Sequence, residues 1–124
     1  MNARASDPYE ALERVFHEPS RLAIVSALCA AEKGLSFTEL RDACNLTDGN
    51  LNRHVKVLQE AQLVAVSKKF VDLKPRTTVR LTPHGLQRFG DYLEALKRVL
   101  AEAQASLPGK AVAAPSRRLA SAPA

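Results

Sequence analysis

The chain has 124 residues, of which 46% are hydrophobic and 25% charged, so it fits one globular domain with a modest core. No apolar run approaches the ~20 residues of a membrane span, and residues 1–6 contain no apolar secretory segment, so the sequence predicts a cytoplasmic protein. The net charge of +5 is unevenly distributed, because residues 49–90 hold eight basic and two acidic side chains whereas residues 1–48 hold five basic and eight acidic ones. A concentrated basic region is typical of proteins with an anionic partner, most often phosphate, and the alternative is a solvated basic face without a partner.

Two helices are predicted first, after residues 1–6, which are expected to be disordered. Pro8 suits the start of a helix that extends to about His17. Pro19 likewise begins a second helix that is apolar over a broad face, and Gly34 is expected to end it.

A third, short helix is predicted from a capping pattern in residues 36–39. Ser36 is expected to cap the helix while Glu39 returns to the amide of the capping residue. Asn45 and Leu46 then form a tight turn into the next helix. Two short helices joined in this way, the second of them amphipathic, make a helix-turn-helix.

The helix predicted over residues 47–61 is that amphipathic second helix, with Thr47 as its cap. Leu51, Val55 and Leu58 recur at steps of four and three and give it one apolar side. The opposite side carries Asn50, Asn52, Arg53 and Lys56. Asparagine can pair bidentately with adenine and arginine with guanine, so this face has the chemistry to read base edges in a major groove. An ordinary solvated helix face is the alternative interpretation.

A β-hairpin is predicted directly after this helix. Residues 63–70 are rich in β-branched and apolar side chains, and residues 76–81 alternate with period two. The turn is expected over residues 71–75. Five cations lie on or beside the hairpin: Lys68, Lys69, Lys74, Arg76 and Arg80.

The last predicted element is a long helix that starts at Thr82 and Pro83 and extends to about Ser106. Its apolar residues alternate steps of three and four, which suggests helix-to-helix packing beyond what one small domain needs. These residues are Leu86, Phe89, Leu93, Leu96, Leu100, Ala103 and Leu107. Residues 107–124 are rich in Ala, Pro and Ser and are expected to be a disordered tail, so the folded domain spans residues 7–106.

This order of elements resembles the winged helix-turn-helix regulators of bacteria and archaea, especially the MarR and ArsR types. Three segments carry the resemblance: residues 18–25 (EPSRLAIV), residues 51–64 (LNRHVKVLQEAQLV) and residues 76–85 (RTTVRLTPHG). The family usually has Gly at the exit of the recognition helix, where this chain has Gln62. The resemblance implies a mainly α (α+β) fold with a two-stranded β-wing and a long C-terminal helix.

The resemblance also implies a homodimer that binds double-stranded DNA and regulates transcription as a repressor. The helix that begins at Thr47 would enter the major groove, and the wing would contact the backbone or an adjacent minor groove. The expected DNA contacts are Ser36, Thr38, Thr47, Asn50, Asn52, Arg53, Lys56, Lys74 and Arg76. The expected dimer interface consists of Tyr9, Leu12, Phe16, Leu93, Leu96, Leu100 and Ala103, since an exposed apolar stripe favours association. His54 adjoins the apolar stripe and is interpreted as a packed histidine rather than a DNA contact.

Metal, redox and enzymatic functions find little support in the sequence. ArsR-type metal sensors carry paired cysteines in the third helix, where this chain has only Cys44, and its three histidines lack ligand spacing. Neither a Gly-rich phosphate loop nor a nucleophile elbow occurs, so no cofactor and no enzymatic activity are expected. Cys44 is interpreted as an inert thiol, like Cys29, and a redox sensor is the alternative. The competing function is a winged-helix module that binds an acidic protein and not nucleic acid. The sequence leaves open whether the protein has a small-molecule effector.

Overall fold

Four helices and a three-stranded antiparallel sheet form residues 14–108, the part of the chain that the structure, a computed structural model, describes. In chain order they are α1 (Pro19–Cys29), β1 (Leu35–Ser36), α2 (Phe37–Cys44), α3 (Asp48–Glu60), β2 (Val64–Val71), β3 (Lys74–Leu81) and α4 (Pro83–Ser106). The strand order in the sheet is β1-β3-β2. The predicted mainly α fold, with a hairpin and a long last helix, is confirmed. None of these described helices has the length and apolar character that crossing a membrane requires.

Side-chain caps begin the helices where the sequence predicted them. At α2 the hydroxyl of Ser36 accepts a hydrogen bond from the amide of Glu39 at 3.0 Å, and the Glu39 carboxylate accepts one from the amide of Ser36 at 2.8 Å. Thr47 and Thr82 accept bonds from amides three residues later, at 3.1 and 2.8 Å, and so cap α3 and α4. These bonds satisfy amides that have no partner within the helix, and they fix where each helix begins.

An aromatic cluster joins the segment before α1 to the core face of α4. The ring of Phe16 lies 5.3 Å from that of Phe89 and 5.4 Å from that of Tyr92, and the Tyr92 hydroxyl is 2.8 Å from Nδ1 of His17. Phe16 is completely buried within its own chain, so its assignment to a dimer interface is wrong. Residues 14–16 also form turns and not the predicted helix end. Tyr9 and Leu12 lie outside the described residues, as does most of that predicted helix.

A short strand that was not predicted from the sequence follows α1. The helix ends at Cys29 and not at Gly34, and Gly34 instead turns the chain into β1 with a φ of +90°. A side chain at Gly34 would place its Cβ only 2.6 Å from the carbonyl oxygen of Val79, so glycine allows the backbone to approach β3. In β1, Leu35 pairs with Val79.

The wing hairpin is longer than predicted. Strands β2 and β3 pair without interruption from Val64 and Leu81 to Val71 and Lys74, so the loop is only Asp72 and Leu73. The expected five-residue turn over residues 71–75 is therefore wrong. Pro75 lies in β3 opposite Phe70. A proline is tolerated there because β1 pairs with β3 only further along the strand, at Thr78 and Val79.

The exit of α3 has a strained backbone at Gln62, whose φ is +63°. A non-glycine residue is disfavoured in this left-handed region, so Gln62→Gly should raise the free energy of unfolding by about 0.5–1 kcal/mol. Gln59→Gly is the matched control, because it places the same residue inside α3 and should lower the free energy of unfolding by about 1 kcal/mol. Urea unfolding measures both. Equal losses of stability in the two variants would show that Gln62 is not strained.

Candidate nucleic-acid interface

Helix α3 presents one buried and one exposed side. Leu51, His54, Val55 and Leu58 are buried against the core. On the opposite side Asn50, Asn52, Arg53 and Lys56 are exposed, as the sequence predicted from helical spacing. A guanidinium nitrogen of Arg53 donates to the side-chain oxygen of Asn50 at 3.2 Å. This bond directs the Arg53 side chain back along the exposed side of α3, toward the N-terminus of the helix.

A groove separates α3 from the wing, and polar side chains line both of its walls. Asn52, Lys56 and Gln59 line the helix side, and Lys68 and Thr77 line the strand side. Neither Gln59 nor Lys68 was among the site residues predicted from the sequence. The alternation of side chains along a strand could have identified Lys68, because it lies two residues after Val66 and therefore on the same side of β2.

A second groove lies on the other side of the wing, against the N-terminus of α2. Thr38, Lys74 and Arg76 line it, and Arg76 donates to the carboxylate of Glu39 at 3.5 Å. The amide and then the hydroxyl of Ser36 hold the pKa of the Glu39 carboxyl below its ordinary value, and Arg76 adds to this effect. The expected wing contacts Lys74 and Arg76 thus face α2, whereas Lys68 faces α3.

The DNA contacts expected from the helix-turn-helix differ in their exposure to solvent. Thr38 and Asn52 are exposed and line one shallow surface between α2 and α3. Thr47 is exposed beside it as the cap of α3. Ser36 is 9% exposed, its hydroxyl oxygen accepts the capping bond, and it lines the groove with Lys74 and Arg76. Its contact with phosphate stays a prediction.

An ion pair fixes α2 against the start of α3. The guanidinium of Arg41 lies 2.9 Å from the carboxylate of Asp48 and 3.0 Å from that of Asp42. The hydrogen bond to Asp48, followed by the one to Asp42, raises the pKa of Arg41. Asp48 lies in the first turn of α3, next to the expected DNA contacts, and Arg41 partly offsets its negative charge.

His54 lies on the inner side of α3 and is 7% exposed. Its Nδ1 is 3.2 Å from a guanidinium nitrogen of Arg21 and 3.9 Å from the carboxylate of Glu18. Burial lowers the pKa of the imidazole below its ordinary value; Arg21 and Arg53 lower it further, and Glu18 opposes them. The interpretation of His54 as a packed residue is confirmed, and the histidine connects α3 to α1.

The two cysteines differ in exposure. Cys29 is exposed, and Cys44 is half-buried. Burial raises the pKa of both thiols, which disfavours the reactive thiolate. Among residues 14–108, no group of three or more His, Cys, Asp or Glu side chains is arranged to hold a metal ion.

Comparison with known proteins places this geometry in a family. The family model for a winged helix DNA-binding domain matches residues 20–100. An uncharacterized protein of Methanocaldococcus jannaschii is 31% identical over 80 residues, which cover 64% of this chain and 86% of the relative. An uncharacterized HTH-type transcriptional regulator of Bacillus subtilis, YceK, is 33% identical over 78 residues, or 60% of this chain and 78% of that protein.

Solved structures show the same arrangement. A transcriptional regulator homologue from Pyrococcus horikoshii superposes with a TM-score of 0.71 at 30% identity and covers 77% of this chain and 95% of its own. A MarR family regulator from Rhodococcus superposes with a TM-score of 0.64 at 14% identity, over 95% of this chain and 82% of its own, which shows a shared fold. The chain therefore belongs to the winged helix DNA-binding family, whose members are transcriptional regulators and not enzymes.

Proposed function

We propose that the protein is a homodimeric repressor that binds specific double-stranded DNA through α3 and the wing. The observation that carries this proposal is that cationic side chains line both grooves between the wing and the helix-turn-helix. Lys56 and Lys68 line the groove beside α3, and Lys74 and Arg76 line the groove beside α2. Such a surface matches the alternation of base edges and phosphates that a helix meets in a major groove.

The side chains of this surface have different roles in the proposal. Arg53 and Asn52 read base edges from α3 in the major groove, and Asn50 orients Arg53 through their 3.2 Å hydrogen bond. Lys56 and the wing cations contact phosphates, which supply affinity without sequence information. Repression follows if the bound protein excludes other proteins from a promoter, and a reporter gene behind the bound site tests this.

The dimer is proposed from a stripe of leucines on α4. Leu86, Leu93 and Leu100 follow one another at intervals of seven residues and are 57%, 44% and 53% exposed. Leu107, the next leucine at this interval, is 46% exposed and lies directly after the end of the helix. Exposed leucines at this spacing are the pattern by which two helices pack side by side. A two-fold dimer would place two copies of α3 roughly 34 Å apart, which matches an inverted DNA repeat.

Within the seam that the sequence indicated, Leu96 and Ala103 are placed differently. Leu96 packs partly against the core of its own chain, whereas Ala103 is exposed beyond it. The proposed interface therefore centres on Leu93 and Leu100.

Arg53→Ala and Asn52→Ala test base readout on a duplex that the wild-type protein selects from a random-sequence pool. Each should weaken binding by roughly 1–3 kcal/mol and relax the base preference, because a bidentate pair is lost. Lys56→Ala should weaken binding to all duplexes alike and reduce the salt slope by about one unit per protomer. Fluorescence anisotropy at several salt concentrations measures these effects.

Lys33→Ala is the control for these variants, because it removes an exposed cation that lines neither groove. It should leave affinity and selectivity unchanged. Unaltered binding by Arg53→Ala would contradict the assignment of α3 as the recognition helix. A wild-type protein that selects no duplex from the pool would support the protein-binding alternative instead.

A further inference from the structure

The tip of the wing exposes three apolar side chains. Leu73 is 94% exposed, Phe70 76% and Val71 46%. Four cations flank them on the two strands: Lys68, Lys69, Lys74 and Arg76. The tip carries one carboxylate, that of Asp72, so positive charge predominates. An apolar tip with cationic sides has the chemistry of a segment that passes phosphates and meets stacked bases.

The backbone of the tip is strained at its most exposed residue. Asp72 and Leu73 form the two-residue loop and have φ values of +55° and +65°. Loops of this kind favour Asn or Asp at the first position and Gly at the second. Asp72 fits that rule, whereas Leu73 departs from it. A large apolar side chain therefore occupies a position where glycine would relieve strain, and its exposure shows that packing within the chain does not explain it.

The tip lies far enough from α3 to meet a different groove of the same duplex. Lys68 lines the groove beside α3, and three further residue pairs separate it from the loop. At about 3.3 Å per strand residue the loop lies roughly 10–15 Å beyond Lys68. With α3 in the major groove, this distance is enough to cross one phosphate backbone to the adjacent minor groove. Phe70 lies on the same side of β2 as Lys68, since side chains alternate along a strand.

We propose that the wing tip is an apolar wedge: Leu73, with Phe70 behind it, inserts from the minor groove at a base step next to the site read by α3 and kinks the duplex. This inference rests on the proposed DNA-binding function and adds a second determinant of specificity. Pyrimidine–purine steps such as TA and CA unstack most easily, so the bound sites should carry them where the tip lands.

Leu73→Asn is the decisive variant, because asparagine tolerates the left-handed backbone but is polar. On the duplex selected by the wild-type protein we expect roughly tenfold weaker binding and a smaller bend, since the wedge is lost. The slope of affinity against salt should stay the same, because no charge changes. The melting temperature should stay equal or rise, which excludes unfolding as the cause.

Leu73→Met is the matched control, because it keeps an apolar side chain at the tip and should retain affinity and bending. Duplexes with 2-aminopurine at successive flanking positions locate the unstacked step: wild type should raise its fluorescence at one position, and Leu73→Asn should not. If Leu73→Asn bound the duplex with wild-type affinity and raised the 2-aminopurine fluorescence as the wild type does, the proposed wedge would be wrong. If Arg53→Ala still weakened binding and relaxed the base preference in that case, the proposed DNA-binding function would stand without the wedge. A Leu73→Asn effect on self-association alone would also overturn the wedge.

Discussion

Replacing Leu93 and Leu100 together by Glu is expected to separate the protein into monomers and to weaken binding to an inverted-repeat duplex by about 100-fold or more, because two linked half-sites bind far more tightly than one. Both leucines are about half exposed in the single chain, so the charges should not disturb its own core. Glutamate is also a good helix former, so α4 should persist. Sedimentation velocity measures the mass, and circular dichroism measures the retained helix.

Gln87→Glu with Ala105→Glu is the control pair for this experiment. Both positions are exposed on α4 and lie more than about 100° around the helix from the leucine stripe. This pair adds two negative charges to the same helix and should leave the dimer intact. A wild-type protein that sediments as a monomer at micromolar concentration, or that protects a single half-site, would contradict the proposed dimer.

Gly85→Ala is expected to lower the free energy of unfolding by about 3 kcal/mol, because an added methyl group in a closed space forces the surrounding backbone to move. An ideal Cβ at Gly85 would lie only 2.1 Å from the carbonyl oxygen of Leu63, which also accepts a hydrogen bond from the amide of Thr82 at 3.0 Å. The start of α4 and the exit of α3 meet at this contact. The substitution should therefore also disturb the position of the recognition helix. Urea unfolding at one fixed protomer concentration is the measurement, since the proposed dimerisation would contribute to stability.

Gly90→Ala is the matched control and should have the opposite sign. Gly90 is exposed in the same helix, and a Cβ there would meet nothing within 4 Å. Alanine should raise the free energy of unfolding by about 1 kcal/mol, because glycine is the poorer helix former. Similar destabilisation by both substitutions would show that loss of glycine in α4, and not the close approach to Leu63, determines the effect.

Local signals made most of the elements predictable from the sequence. The capping box at Ser36 and Glu39 and the Thr82–Pro83 start of α4 are interactions between near neighbours, so the sequence alone identifies them. Strand β1 was not predictable, because two residues contain no repeat from which a period can be read. The wing loop was misplaced because Asp72 and Leu73 lack the usual second-position glycine.

Tertiary packing decided the features that the sequence left open. The sequence assigned the apolar seam on α4 to packing between helices, and the structure divides that seam: Phe89 is buried in the core together with Tyr92 and Ala95, whereas Leu93 and Leu100 are exposed. Helical spacing identifies residues that share a side but does not say which side meets the core. Phe16 was misassigned because its packing against Phe89 and Tyr92 is a contact between residues far apart in the sequence. In the candidate site, the exposed face of α3 followed from spacing, whereas the contribution of Lys68 depended on how β2 lies against α3.

Strand β3 pairs with β1 on one side and with β2 on the other, and this arrangement constrains how the protein can adapt to DNA. Strand β1 leads directly into α2, and β2 follows α3. The helix-turn-helix is therefore flanked by two strands, and both of them pair with β3. Rotation of α3 relative to the wing would break sheet hydrogen bonds. We therefore expect the helix-turn-helix and the wing to move together as one rigid body. In the proposed dimer, adjustment to half-sites of different spacing would then come from the junction with α4 and from the contact between protomers.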